Sequence, residues 1–288
     1  MIVVMGATGT TGSALLHRLV ALGVPSRALS RDPDALRERL DGPARALVEV
    51  RGADAADPDS LRKAFDGASQ LFLAMANSPA QVAHETCAIS VAAATGIRHV
   101  VKLSAPEATS DSPVAVSRGH HIIEQALRDT GMAHTVLRPY AFMQKLLTLA
   151  PSIAAEGVFL GSMGNAPCNY VDCRDIGDVA AEILTRPDLA GHTYTLTGDR
   201  TYTNPELADL FRRTLGRPIR YIDLPTEAMH TTLTTTAGLP AWLADHIVEI
   251  QQLAITHPES PTRTVETLLN RPPRTLESFL AENAHHFQ

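Results

Sequence analysis

Three glycines near the start of the chain have the types and spacing to bind a phosphate. Gly6, Gly9 and Gly12 follow the apolar run 1–5 and lead into an amphipathic segment at 14–20. Gly6 would permit a tight strand-to-helix turn, Gly9 would let the backbone approach a pyrophosphate, and Gly12 would let the helix pack against the strand. Exposed amides at the helix start would offer donors and a partial positive charge. The motif in this setting predicts a dinucleotide-binding turn.

Arg31 stands at the end of the second predicted strand, where such proteins choose between NAD and NADP. An acid there would bind the ribose hydroxyls of NAD, but the only nearby acid, Asp32, precedes Pro33 and is explained as a helix cap. The Arg31 guanidinium can pair with two oxygens of a 2′-phosphate and stack on the adenine. The sequence therefore favours NADP (NADPH), with an ordinary surface arginine as the alternative.

The composition is typical of an enzyme-sized chain. Its 288 residues are 44% hydrophobic and 19% charged, enough for one large domain or a core with a small substrate lobe. The net charge of −6 argues against binding to nucleic acid or to an acidic membrane surface. No apolar run approaches about 18 residues, and the N-terminus is itself a strand, so we expect neither a membrane span nor a signal segment. Three cysteines without CxxC spacing indicate reduced thiols and a cytoplasmic protein.

Strand-like and helix-like segments alternate over most of the first half of the chain, as βαβ units do. After the first strand, further strands are predicted at 26–30, 46–50, 70–74, 99–103 and 135–139. Several of them lead into small or polar residues, where a cofactor would lie outside the strand ends. The predicted fold class is α/β, a Rossmann doubly wound parallel sheet.

Several motifs together give the chain a resemblance to a known family. They lie at 6–12, 119–127, 131–143, 170–180, 194–198, 207–210 and 216–221. In these stretches the chain resembles the NmrA-like members of the atypical short-chain dehydrogenases/reductases. The wide first interval of the GxxGxxG spacing fits the same group.

The resemblance implies a Rossmann domain over 1–150 and a smaller C-terminal α/β lobe over 151–288, with segments at about 170–200 returning to the Rossmann sheet. It also implies a substrate cleft and one of two activities. One is NADPH-dependent reduction of quinones, carbonyls or related compounds. The other is redox sensing, in which the dinucleotide is bound without being consumed.

The resemblance also suggests catalytic residues, although the usual Tyr-x-x-x-Lys pair is absent because Lys145 follows Tyr140 at five residues, not four. His120 stands where the family often carries a lysine and could relay a proton or donate a hydrogen bond, or it could only pack. Ser104 resembles a serine that orients a carbonyl, or it caps a turn. Tyr140 is placed as a pocket residue. A metal site is not expected, because His120 and His121 diverge on one helix.

The predicted catalytic residues are therefore His120, Ser104 and Tyr140. The predicted cofactor-binding residues are Gly6, Thr8, Gly9, Thr10, Thr11, Gly12, Arg31, Asp54, Ala74, Met75 and Lys102. As alternatives, the three threonines and Asp54 could only stabilise their turns, and Lys102 could be structural. We expect hydride transfer from NADPH to a quinone or a similar apolar or aromatic small molecule, by a monomer or a homodimer. A dinucleotide sensor without turnover and a non-redox cyclase or dehydratase are the alternatives.

Overall fold

The computed structural model describes residues 1–288. The strands are β1 Ile2–Met5, β2 Ser26–Ser30, β3 Val48–Gly52, β4 Gln70–Leu73, β5 His99–Leu103, β6 Ala133–Pro139, β7 Ala141–Phe142, β8 Val158–Gly161, β9 Cys168–Val171, β10 Thr193–Leu196, β11 Thr201–Tyr202 and β12 Arg220–Asp223. The α-helices are α1 Thr10–Ala21, α2 Pro33–Arg39, α3 Ala44–Leu47, α4 Pro58–Phe65, α5 Gln81–Ala94, α6 Ala115–Asp129, α7 Ala150–Glu156, α8 Cys173–Thr185, α9 Asn204–Leu215, α10 Thr226–Thr231, α11 Ala241–Thr256, α12 Thr264–Leu269 and α13 Leu276–Glu282. Short 3-10 helices span Met143–Leu149, Pro187–Leu189 and Ala284–Phe287, and a π-helix spans Thr232–Thr236. None of these helices is both long and apolar enough to cross a membrane.

Seven strands form one parallel sheet in the order β10-β6-β5-β4-β1-β2-β3. β2 and β3 lie in succession on one side of β1, and β4 lies on the other side. Every strand pairing in this sheet is parallel. Reversal of strand order beside β1 creates the switch point at which doubly wound proteins bind ligands, outside the carboxyl ends of the strands. The predicted α/β fold class is confirmed.

The predicted strand boundaries were accurate where the apolar run was sharply delimited. β2 and β5 have the predicted bounds, whereas β3 begins two residues later than predicted, at Val48. Ala46 and Leu47 belong instead to α3, because their amides donate to the carbonyl of Pro43. Two residues that the hydrophobic pattern assigned to β3 therefore belong to this short helix.

Contacts divide the chain into two units, each built from three separate segments. The first unit comprises Met1–Ser110, Ser117–Pro139 and Cys173–Leu196, and the second comprises Asp111–Val116, Tyr140–Asp172 and Thr197–Gln288. The return of the chain to the first unit ends in β10, the seventh strand of its sheet. β9, which ends at Val171 at the start of the 170–200 region, belongs to the second unit.

Each unit has its own apolar core. In the first unit, Leu61, Phe65, Leu71, Ile89 and Ile123 are among the buried side chains that pack together beside the sheet. The second unit carries a three-stranded sheet in the order β11-β9-β7 and a parallel pair, β8 with β12. Its core includes the aromatic pairs Phe159–Phe211 and Phe211–Phe287, with ring centroids 6.0 Å and 4.9 Å apart.

Candidate functional site

The glycine turn after β1 is held by contacts that only glycine allows. Gly6 has φ of +83°, and a Cβ there would lie 2.3 Å from the carbonyl oxygen of Ala74. A Cβ on Gly12 would lie 2.1 Å from the carbonyl oxygen of Gly6. Gly9 differs, because it is exposed and the only atom near its Cβ position is the Gly6 oxygen at 3.3 Å. Gly6 and Gly12 thus serve the packing of the turn, while Gly9 keeps its outer surface free of side chain.

Polar groups surround this turn. Thr8 and Thr10 are exposed, and the Cys173 thiol lies 3.5 Å from the Thr10 hydroxyl. The Thr11 hydroxyl is buried and has no hydrogen-bond partner within the protein, and no side chain caps the start of α1 at Gly9. A buried hydroxyl and uncapped helix amides beside a bare backbone are groups that phosphate oxygens satisfy. The residues at the turn therefore fit the pyrophosphate of a dinucleotide.

The end of β2 presents one unpaired cation. Arg31 is exposed and forms no ion pair, whereas the neighbouring Asp32 caps α2 by accepting a hydrogen bond from the Ala35 amide at 3.0 Å. The helix-cap prediction for Asp32 is confirmed. Arg27, on the same strand, is buried and paired with Glu49 at 2.8 Å. Of the two arginines, only Arg31 has a guanidinium available for a 2′-phosphate.

Three further predicted cofactor contacts follow β3 and β4. Asp54 is exposed, and its carboxylate accepts from the Ala56 amide at 2.9 Å, so it also shapes the turn after β3. Ala74 is buried and its backbone oxygen packs on the Gly6 turn. Met75 is partly buried against the core of the first unit. All three lie at or just past the carboxyl ends of strands on either side of β1, as the switch-point geometry requires.

Lys102 occupies a buried polar network rather than a surface. Its ammonium lies 2.8 Å from a carboxylate oxygen of Glu85 and 3.2 Å from Nδ1 of His120, and it donates to the carbonyl of Leu103. Neither Lys102 nor Glu85 has any exposed side-chain surface. Lys102 thus contacts the predicted catalytic residue His120, which is itself buried. A cofactor contact of Lys102 stays a prediction.

Ser104 belongs to a second buried network. Its hydroxyl donates to Glu124 at 2.6 Å, and the two Glu124 oxygens also accept from Arg138 at 3.1 and 2.7 Å. Burial alone would raise the pKa of Glu124, but the hydrogen bonds from Arg138 and Ser104 outweigh it and lower the pKa below its ordinary value. The Ser104 proton is thus engaged by a carboxylate, which leaves only the lone pairs of this hydroxyl for another partner.

The networks include two residues that are not among the predicted site residues. Gln81 and Glu85 are both fully or nearly buried on α5, and the Gln81 amide donates to Glu85 at 2.9 Å. A signal for them existed, because they stand four residues apart on a helix otherwise rich in alanine and apolar residues.

Tyr140 is partly buried and lies in the second unit, directly after β6. No group of three or more His, Cys, Asp or Glu side chains could hold a metal ion.

The doubly wound sheet and the glycine turn at its switch point define a dinucleotide-binding class of protein. More specifically, this chain belongs to the NmrA-like family, whose sequence profile matches residues 1–280.

Similarity to known proteins extends along the whole chain. It is 33% identical over 288 residues to an NAD(P)H azoreductase of Xenophilus azovorans, covering 100% of this chain and 99% of that protein. It is 35% identical over 289 residues to a (4-alkanoyl-5-oxo-2,5-dihydrofuran-3-yl)methyl phosphate reductase of Streptomyces griseus, with the same coverage. The solved structure of an Escherichia coli NADPH-dependent quinone oxidoreductase in complex with NADPH is 26% identical, covers 100% of both chains and superposes with a TM-score of 0.88.

Proposed function

We propose that this protein is an NAD(P)H-dependent reductase that prefers NADPH and reduces a quinone or a similar conjugated or carbonyl small molecule. The observation that carries the proposal is the end-to-end similarity to an NAD(P)H azoreductase and to a second reductase, both above 30% identity. The glycine turn supports it independently, since its bare backbone and its unpartnered Thr11 hydroxyl fit a pyrophosphate.

Two parts of the first unit would hold the dinucleotide. The turn from Gly6 to Gly12 would bind the pyrophosphate through backbone amides and the hydroxyls of Thr8, Thr10 and Thr11. Arg31 would pair with the 2′-phosphate of NADPH, for which its exposed and unpaired guanidinium is suited. When bound, NADPH supplies the hydride.

Reduction of a conjugated acceptor balances without a strong protein acid. A quinone that accepts a hydride at one end of its conjugated system becomes an anion and needs one proton to reach the hydroquinone, which water can supply. This agrees with the absence of Tyr-x-x-x-Lys from the sequence. His120, Ser104 and Tyr140 remain the proposed catalytic residues, with the buried His120 as the first choice for a hydrogen-bond donor.

The substrate class that we propose is apolar or aromatic, and the protein would act as a monomer or a homodimer. Cys87, Cys168 and Cys173 form no disulfide, which supports a reducing compartment such as the cytoplasm.

Arg31→Ala tests the cofactor assignment by calorimetric titration with NADPH and with NADH. Loss of a charge-assisted phosphate pair should weaken NADPH binding by roughly 10- to 100-fold and weaken NADH binding much less, since NADH shares only the adenine contact. Arg39→Ala, which removes another exposed arginine from the end of α2, is the matched control and should bind NADPH like the wild type. Equal affinities of the wild type for both cofactors, or unaltered NADPH binding in Arg31→Ala, would remove Arg31 from the site.

A further inference from the structure

We propose that Lys102, held by Glu85, fixes His120 as the neutral tautomer protonated on Nε2, so that the ring does not act as a proton acceptor. Lys102 and Glu85 are then positioning residues. The use of this donor in catalysis rests on the proposed reductase function, whereas the tautomer itself rests only on the buried network.

The donor and acceptor chemistry of Lys102 and His120 decides which ring nitrogen carries the proton. A lysine ammonium has three donors and no acceptor. It lies 3.2 Å from Nδ1 of His120, so Nδ1 must present its lone pair and the ring proton must sit on Nε2. The same ammonium opposes a second proton on the ring, because two positive charges would then face each other without solvent between them.

The neighbouring amide does not compete for this arrangement. The Nε2 atoms of Gln81 and His120 are 3.5 Å apart, at the outer limit of a hydrogen bond. The Gln81 amide already donates to Glu85 at 2.9 Å, and two donors facing the two ring nitrogens could not both be satisfied by a neutral imidazole. The shorter and charge-assisted contact from Lys102 therefore sets the tautomer.

Glu85 compensates the charge of the buried Lys102 ammonium and fixes its position. Its carboxylate lies 2.8 Å from the Lys102 ammonium, and both side chains are without exposed surface. A buried cation without a counter-charge is strongly disfavoured, so the position of Lys102 depends on this carboxylate. The three partners come from α5, β5 and α6, which all belong to the first unit. The orientation of the His120 ring is thus set by the packing of two helices on one strand.

The consequence for the proposed reaction concerns the charge that develops on the acceptor. A neutral Nε2–H can stabilise a developing anion by hydrogen bonding. It cannot accept a proton at Nε2, and the lysine blocks Nδ1. Under this proposal His120 is a hydrogen-bond donor and not the proton relay that the sequence left open.

The direct test is nuclear magnetic resonance of the protein labelled with 15N-histidine, at neutral pH and without substrate. The His120 signals are identified by their loss in His120→Asn. We expect one protonated nitrogen at Nε2 and one lone-pair nitrogen at Nδ1. A ring protonated at Nδ1, or an imidazolium, would overturn the proposal. Because no turnover is needed, this result is independent of whether the protein proves to be a reductase.

The double variant Lys102→Met with Glu85→Gln tests the role of the lysine, since it removes both buried charges together and avoids an unpaired one. We expect His120 to lose its single tautomer and show an averaged or altered pair of nitrogen signals. His99 is the internal control, because its Nε2 contacts the Thr135 hydroxyl at 3.0 Å and should be unaffected. An unchanged His120 signal in the folded double variant would refute the assignment to Lys102.

If the double variant does not fold, the wild type provides a second test. A nuclear magnetic resonance correlation is sought through the hydrogen bond between the Lys102 ammonium and His120 Nδ1. Its detection supports the proposal, and its absence at a temperature where the ammonium protons exchange slowly contradicts it. Failure of NADPH oxidation in a separate assay would count against the reductase function and not against the tautomer.

Discussion

Gly9 and Gly12 should respond in opposite ways to an added side chain, because one faces outward and the other faces the backbone. A Cβ on Gly12 would stand 2.1 Å from the Gly6 carbonyl oxygen, and real Cβ atoms essentially never come closer than 3.0 Å. α1 would have to move by about 0.9 Å, the difference of these two distances. It cannot move freely, because α1 also packs closely on α8, where a Cβ on Gly177 would lie 2.7 Å from the amide nitrogen of Leu15.

The two variants therefore separate folding from cofactor binding. Gly12→Ala should lower the free energy of unfolding by about 1–3 kcal/mol or more through overpacking. Gly9 has an ordinary φ of −79°, and a Cβ there requires the Gly6 carbonyl to shift by only a few tenths of an ångström. Gly9→Val should therefore lower the free energy of unfolding by no more than about 1 kcal/mol. Its side chain, however, would stand where the pyrophosphate approaches. Loss of two charge-assisted hydrogen bonds at about 1.5–3 kcal/mol each predicts NADPH binding weakened by more than about 100-fold.

Thermal unfolding of the free proteins and calorimetric titration with NADPH measure the two effects separately. We expect Gly9→Val to melt close to the wild type without binding NADPH measurably, and Gly12→Ala to melt well below it. NADPH binding by folded Gly9→Val within about threefold of the wild type would refute the assignment of the pyrophosphate to this turn. Equal destabilisation by both substitutions would refute the geometric distinction between the two glycines.

Three other changes should have distinct outcomes. His120→Ala should lower turnover by roughly 10- to 1000-fold with NADPH affinity nearly intact, and steady-state kinetics that match the wild type would make His120 a packing residue only. Arg138→Met should lower the free energy of unfolding by about 3–5 kcal/mol, measured by chemical denaturation, because it leaves the buried Glu124 carboxylate without its bidentate partner. Arg128 lies 3.4 Å from the same carboxylate and is more exposed, so Arg128→Met should cost less than about 1 kcal/mol. Equal costs would contradict this assignment. Burial raises the pKa of Glu259 to about 7 from 4.5, so its contribution to stability is fully present below about pH 4.5 and is lost as the pH rises through 7. Glu259→Gln should therefore gain stability relative to the wild type over that interval, by up to about 3 kcal/mol, whereas Glu38→Gln on the exposed face of α2 should show no such trend; parallel pH curves for Glu259→Gln and the wild type would exclude the effect.

The glycine turn and the parallel sheet could be predicted because their signals are local. Gly6, Gly9 and Gly12 lie within seven residues, and the strands at 26–30 and 99–103 are bounded by residues that end them sharply. The place of Arg31 after β2 also follows from chain order alone, and the structure adds that its guanidinium is exposed and unpaired.

The buried networks could not be predicted, because their partners are far apart in sequence. Glu85 meets Lys102 across 17 positions, and Ser104 meets Glu124 across 20. Each contact exists only because helices on the sheet bring polar side chains against the ends of strands. A charged residue within an apolar segment signals that a partner must exist, since an unpaired buried charge is costly, but it does not say which residue the partner is. This is why the contacts of Lys102 with Glu85 and His120 could not be predicted.

Turnover with deuterated cofactor tests whether this protein transfers hydride from NADPH to an organic acceptor. The purified protein is incubated without oxygen with NADPH carrying deuterium on one face or the other of nicotinamide C4, and with a panel of quinones and azo dyes. We expect loss of reduced-nicotinamide absorbance in step with acceptor reduction, with NADPH used better than NADH, and a rate lowered by deuterium on one face only. Tight NADPH binding with no cofactor consumed for any acceptor would contradict the claim and favour a dinucleotide sensor.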